Sequence, residues 1–260
     1  MRGDFATYGV TNKRPRARHV RPRALPNGLD VRAASASAQI YQILAADIVS
    51  TRRKPGRLII EKDLSAAFGV SRTPVREAIL RLEAENLVEI VPQSGTFVAR
   101  IPLAALPEAI VIRRALEEVS VRAAAKRATA AHFAVLQVNL RQQEERVAAD
   151  DSDGFHEADK AFHAAIAEAA GYPGIWPLIQ QVKVKVDRFC HLTLPEPGRM
   201  DRLVNEHRAI ADAIEARDGD RAVAALDVHM AGLRADLREL PKLDPDYFVG
   251  ELPEGFDEAE

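Results

Sequence analysis

Asp159 and His163 stand four residues apart in the run DKAFH. On a helix that spacing puts a carboxylate and an imidazole on one face, about one turn apart. His207 and His229 are equally far from residue 218, which lies in the turn-forming run Asp218-Gly219-Asp220. If the helices on either side fold back about that turn, the two imidazoles come level with each other. Three imidazoles and one carboxylate suit a divalent metal ion, Zn²⁺ foremost with Ni²⁺, Mn²⁺ or Fe²⁺ as alternatives, and leave coordination positions for water or a ligand. Taken singly, each histidine reads as a capped or core-edge residue; the joint pattern reads as a metal site. His19, His132, His156 and His191 show no partner at ligand spacing.

A second pattern places charge at the start of a helix. Residues 69–82 read GVSRTPVREAILRL, in which Val75, Ala78, Ile79 and Leu82 form one apolar face and Arg72 and Arg76 fall off it. Ser71 is placed as the N-cap, and Pro74 is tolerated because no backbone donor is lost in the first turn. Two guanidinium groups therefore sit near the positive end of the helix, where an anion is the natural partner. In a helix-turn-helix this end enters the major groove, and an arginine fork holds guanine O6 and N7 together or clamps a phosphate. On an isolated helix the same arginines would read as a solvated face, so the flanking segments matter.

Those segments are a helix striped by Ile40, Ile43, Leu44 and Ile48, ending before Lys54-Pro55-Gly56, and a short helix over roughly 61–68. Gly69-Val70-Ser71 is the tight turn between the paired helices. Leu87 to Val91 and Thr96 to Arg100 are β-prone and are joined by Pro92-Gln93-Ser94-Gly95 as a hairpin. Residues 36–100 thus read as a winged helix-turn-helix domain, and 101–106 as a linker, with a hinge from Ile101-Pro102 to Pro107. From there to Leu240 the chain is helical in character, with breaks near Ala130, Asp150 to Gly154, Gly171 to Pro173, Pro195 to Gly198 and Asp218 to Asp220. That partition gives about six helices with short loops, an antiparallel bundle over 107–240. The fold class is mostly α, an N-terminal winged helix-turn-helix followed by an all-helical bundle.

Composition sets the outer bounds. A chain of 260 residues with 47% apolar content supports two domains with real cores. Its one cysteine, Cys190, excludes an internal disulfide framework and suits a reducing cytoplasm. No apolar run approaches the eighteen or so residues of a membrane helix, and no signal-type apolar core follows the N-terminal charges, so a soluble cytoplasmic protein without a membrane partner is expected. The net charge of −2 conceals a gradient: residues 1–35 hold eight Lys/Arg against two acids, while 241–260 hold one Lys against seven acids. The first segment reads as a disordered basic arm, either following DNA or merely solvated, and the second as an acidic tail.

The run LSAAFGVSRTPVREAILRLEAENLVEIVPQSGTFVAR resembles the N-terminal domain of the GntR family of bacterial transcription regulators. The resemblance implies that Lys62 in the second helix contacts DNA, together with Ser71, Arg72, Thr73 and Arg76 of the recognition helix. It also implies that Gly95 is a wing tip entering the minor groove. Family members usually have Gly where this chain has Asn86, and often Arg-Gly where it has Ser94-Gly95. The runs FHEADKAFHAAIAEAAG and EHRAIADAIEARDGDRAVAALDVHM are similar to the FCD ligand-binding domain of the FadR-like subgroup. There an Asp and three His bind a divalent metal, roles that carry over to Asp159, His163, His207 and His229. VIRRALEE resembles the family's Arg-x-x-Leu-Glu, which assigns Arg113 to the carboxylate of an effector beside the metal. Arg113 and Glu117 are also i, i+4, so a plain surface ion pair is the other reading.

Together these readings lead to a DNA-binding transcriptional regulator rather than an enzyme. A repressor is expected, working as a homodimer on a pseudo-palindromic operator and controlled by a small carboxylate metabolite. One alternative is a repressor for which the metal is itself the signal. Another is a metal-dependent hydrolase, against which stand the winged module and the lack of an evident general base.

Overall fold

The computed structural model describes residues 36–254. The basic arm expected over 1–35, with His19, and the end of the acidic tail, 255–260, lie outside the described residues.

Helix α1 (Ala36–Val49) buries Ile40, Leu44 and Ile48. Helix α2 (Glu61–Phe68) buries Leu64 and ends at Gly69, whose φ of 67° is a left-handed cap that glycine adopts without a Cβ clash. Helix α3 (Arg72–Ala84) turns Val75, Ala78, Ile79 and Leu82 inward, the face set by their spacing. Ser71 holds the N-cap position in an extended conformation, but its side chain makes no capping hydrogen bond. Asn86 follows with φ 56°, a conformation its short polar side chain tolerates.

Strands β2 (Val88–Val91) and β3 (Gly95–Val98) form the expected antiparallel hairpin, with Val91 opposite Gly95. A third strand, β1 (Leu58–Ile59), pairs with the other edge of β3. The sequence held no sign of it, because two residues cannot show a period. Ile59, Leu87, Val88 and Val98 close one core over the three helices.

The rest is the helical bundle. Helix α4 (Ala105–Arg127) is followed by α5 (Ala130–Ala148), α6 (Ser152–Ala169), α7 (Ile175–Thr193), α8 (Arg199–Glu215) and α9 (Gly219–Asp236). Local caps set several boundaries: Thr129 and His132 form a reciprocal capping box, and the Asp151 and Asp218 side chains accept from the backbones of Gly154 and Arg221. Phe162, Leu136, Ile210, Ile214 and Leu226 lie in a second core shared among these helices.

Two segments differ from their expected roles. The linker contains strand β4 (Ile101–Pro102), which pairs in parallel with β5 (Phe248–Val249), and Leu103 N donates to Val249 O at 3.0 Å. Ile101 is fully buried in the bundle core, and Phe248 and Leu252 pack against that core. Residues 237–254 therefore run back over the bundle as a strap, rather than trailing as an acidic tail, through 3₁₀ turns at Leu237–Lys242 and Pro245–Tyr247. Charge in this segment marked it as solvated, yet its few apolar residues find partners far away in sequence.

The two cores meet along α7. Val184 packs against the N-terminal core, and Arg188 Nη2 donates to Ala99 O at 2.5 Å, just beyond the wing. Burial pushes the Arg188 guanidinium down to about 10.

Phe248→Asp should put a charge into the β4–β5 junction and lower stability by about 1–3 kcal/mol. Denaturant unfolding checks this; an unchanged midpoint would show that the strap is only laid over the bundle.

Candidate functional site

On the first site, α2 and α3 meet at the Gly69 turn so that Ser71, Arg72, Thr73 and Arg76 are exposed at the N-terminal end of α3, with Lys62 exposed on α2. Arg76 Nε donates to Glu61 Oε2 at 2.9 Å, a surface pair of small net worth that an anion can displace. Gly95 opens β3 with φ 127°, and a Cβ there would lie 2.8 Å from Leu58 Cδ1. The positive φ favours glycine there, whereas the Leu58 side-chain tip, half exposed, could turn aside.

The second site lies in the bundle. Asp159 and His163 project from α6, His207 from α8 and His229 from α9. The α8–α9 hairpin turns at Arg217, with φ 62°, and at the Asp218 cap. Ring centroids are 4.8 Å apart for His207–His229, 5.1 Å for His163–His207 and 5.4 Å for His163–His229. One ring nitrogen of each lies within 4.8 Å of the others, and all three side chains are buried. Asp159 Oδ1 flanks the group, 3.5 Å from His207 Nε2 and 3.7 Å from His163 Nε2. Phe162 stacks on the His207 ring with centroids 4.7 Å apart.

Each outer ring nitrogen has its own acceptor. His163 Nδ1 is 2.9 Å from Glu117 Oε2, His207 Nδ1 is 2.7 Å from Gln143 Oε1, and His229 Nδ1 is 2.9 Å from Glu206 Oε2. Gln143 is oriented for this by donating its own Nε2 to Ala158 O at 3.4 Å. With Nδ1 as donor, Nε2 is the inward face of each ring, approached at His163 by the Arg113 guanidinium. His207 Nε2 and His229 Nε2 are buried without a hydrogen-bond partner among the described residues. Burial, then the neighbouring His229, pushes the His207 pKa well down, and burial followed by His163 takes His229 to about 3. Both rings are therefore neutral with available lone pairs at neutral pH. At His163 burial also works against the charge, but the Glu117 carboxylate prevails and raises the pKa. Burial pushes Glu206 up to about 7, with Arg202 pulling against it.

Arg113 is not on the surface. Its side chain and that of Glu117 are each 4% exposed, joined by Nε–Oε1 at 2.5 Å, and Arg113 Nη2 lies 3.1 Å from His163 Nε2. Glu117 thus ties the arginine to the imidazole group, a role its spacing alone did not disclose. Lys183, unmarked in the sequence, donates from Nζ to Asp159 Oδ2 at 2.9 Å and lies 2.9 Å from Asp187 Oδ1. Arg113, Asp159, Lys183 and His229 line a cavity with about 30 Å³ of free space, closed on another side by Arg199 and Leu194. The histidines set aside for lack of a partner also found some: His156 and His191 have ring centroids 3.9 Å apart, and His156 Nε2 is 3.5 Å from Asp187 Oδ2. Only a signal spanning several helices could have found Gln143, Lys183 or this pair.

Chemically, three convergent imidazole nitrogens with a carboxylate beside them fit a divalent cation, and the bare Nε2 atoms are the observation that says so.

Comparisons with known proteins agree in kind. Residues 36–98 match the bacterial regulatory proteins of the gntR family, and residues 108–232 match the FCD domain. The HTH-type transcriptional repressor RspR of Escherichia coli is 33% identical over 213 residues, covering 82% of this chain and 93% of that protein. The Uxu operon regulator of Haemophilus influenzae is 29% identical over 231 residues, covering 82% and 86%. Among solved structures, E. coli McbR/YncC superposes with a TM-score of 0.70 at 25% identity, covering 80% of this chain and 99% of the other.

Glu117→Gln, which keeps the shape but removes the charge, would leave the Arg113 guanidinium buried without its carboxylate. It should cost about 3–5 kcal/mol in denaturant unfolding; a loss under about 1 kcal/mol would mean that solvent reaches the pair.

Proposed function

The chain belongs to the gntR family of bacterial regulatory proteins and carries an FCD domain, which makes it a DNA-binding transcriptional regulator, and from that premise we propose a homodimeric repressor controlled by a small carboxylate bound beside a divalent metal. The observation that carries the control half is the pair of buried, unpartnered nitrogens, His207 Nε2 and His229 Nε2. Bare lone pairs facing one another in a protein interior are costly without a cation or proton between them. Asp159, His163, His207 and His229 would hold the metal, Zn²⁺ first among those such ligands suit, with Ni²⁺, Mn²⁺ or Fe²⁺ by the same chemistry. Once bound, it would supply a Lewis-acidic centre for an anionic ligand. Glu117, Gln143 and Glu206 orient the imidazoles, and Arg113, beside the group, anchors the ligand's carboxylate.

For the DNA-binding half, the exposed cluster of Ser71, Arg72, Thr73 and Arg76 supports entry of α3 into the major groove, with Lys62 on the flanking backbone and Gly95 at the wing tip. The exposed apolar stripe of Val111, Ile112 and Val119 along α4 supports pairing with a second copy, which would present two such heads to a pseudo-palindromic operator. RspR carries the name of a repressor, which supports that sign of action. The carboxylate acts by favouring one arrangement of the heads, since a ligand that binds two states equally shifts nothing.

The test is fluorescence anisotropy on the duplex upstream of the protein's own gene, against a scrambled duplex, in chelator, with metal, and with metal plus small carboxylic acids. Operator affinity should change only in the last condition. A response to metal alone would instead make the metal the signal, and indifference to all three would sink the control half. In the same assay Arg76→Ala should weaken specific binding by about 1–3 kcal/mol while sparing the scrambled duplex; unchanged operator affinity would take Arg76 off the reading surface.

Metal uptake has a pH signature of its own. Because the His163 pKa is raised, the metal must displace a proton from that ring, so affinity should fall as pH drops through that pKa. Calorimetry in two buffers of different ionisation enthalpy should show net proton release on metal binding. Zero release, with affinity flat in pH, would remove His163 from the ligand set.

A further inference from the structure

Glu61 is an acid beside the residues that would meet a polyanion. It opens α2, one residue before Lys62, and its Oε2 lies 2.9 Å from Arg76 Nε on α3. The two stand fifteen residues apart and are brought together by the core. Leu64, three residues after Glu61, and Val75, just before Arg76, are buried in one cluster. The Gly69 cap, beyond which Val70 N donates to Ser65 O at 3.1 Å, sets the path from one helix to the other. In the first turn of α2 the helix dipole favours a carboxylate, and Ile60 at the N-cap supplies no side-chain cap of its own. The Glu61 side chain is 30% exposed against 64% for Arg76, so the acid is the held partner and the guanidinium the projecting one.

A guanidinium carries five N–H donors in a planar fork, arranged on two edges. One edge pairs Nε with an Nη, and the other pairs Nη1 with Nη2. Glu61 accepts from Nε and leaves the second edge open. Two parallel N–H groups on that edge match O6 and N7 of guanine. A phosphate is less particular, because either edge can clamp it. Beside Glu61, however, a phosphate must displace the carboxylate to reach Nε or meet a like charge next to it. A guanine contact through the open edge does neither. The acid thus lowers the general attraction of this surface for DNA while leaving the arginine one well-matched partner.

We propose that Glu61 is a positioning residue for base reading: by holding Arg76 Nε it turns the Nη1–Nη2 edge toward the major groove, selects guanine there, and withholds the arginine from phosphate. The proposal rests on the reading of Arg76 given above and owes nothing to the metal site.

The test is selection of duplexes from a random pool by the full-length protein, sequenced to give the base preference at every position. Anisotropy on the selected duplex and its single-base variants then measures each preference. Arg76→Ala locates the base that Arg76 reads, as the position whose preference it erases. There the wild type should favour guanine about tenfold or more. Glu61→Met keeps the length and suits a helix but offers Nε no oxygen; it should cut that preference to about threefold or less and leave the other positions as they are. Glu61→Gln, whose amide oxygen still accepts from Nε, should keep it. Loss of an acid acting through charge alone would instead tighten binding to every duplex alike, with the preferences standing.

If the wild type enriches no sequence, or Arg76→Ala erases no preference, the reading of Arg76 falls and the proposal falls with it. Where that position is found, each of four outcomes overturns the proposal alone: a preferred base other than guanine, a guanine preference intact in Glu61→Met, a loss in Glu61→Met spread evenly over all positions, or an equal loss in Glu61→Gln.

Discussion

The two oxygens of Asp159 face different ways, and much of the bundle's polar interior follows from that. One oxygen is held by Lys183 and the other is turned toward His163 and His207. A carboxylate buried in a helical core is tolerable only if nearly every lone pair is met. The partners then need partners of their own: Lys183 also takes Asp187, and His163 takes Glu117, which takes Arg113. Burial raises the cost of an unpaired Asp159, but the Lys183 ammonium and the neighbouring imidazoles reverse the balance and hold its pKa well below the usual carboxylate range.

Helix α7 couples this interior to the rest of the molecule. Lys183 and Asp187 point into the polar cluster, Val184 packs against the N-terminal core, and Arg188 holds the backbone just after the wing. Fewer than two turns of one helix thus face two different surroundings. The strap adds a second connection: α9 ends at Asp236, which pairs with Arg199 beside the cavity, and the chain then runs on to β5 against β4. Helix α7 and the strap thus both join the walls of the cavity to the segment that follows the wing.

The sequence was most informative where physics is local. Spacings of three and four drew the inner face of α3, turn residues marked the breaks of the bundle, and the near-symmetry of His207 and His229 about residue 218 described a hairpin that brings the rings to 4.8 Å. Motif resemblance supplied the family from the runs around Arg72 and His163. It was least informative where residues far apart in sequence meet. The β4–β5 pair joins positions more than a hundred residues apart through strands two residues long. Gln143 looks like any helical glutamine until α5 packs beside α8.

Arg113 and Glu117 show the division most clearly. Their i, i+4 spacing determined that they would touch, because a helix brings such side chains together wherever it is placed. Whether the pair would be a weak surface contact or a buried anchor of His163 depended on which way α4 was turned, and that was decided by Ile110, Val121 and Ala124 packing into the core with the other helices. The sequence by itself determined the elements, their faces and the chemical types available. Tertiary structure alone decided which charges would be removed from water, and desolvation is what turns an ordinary ion pair into an obligatory one.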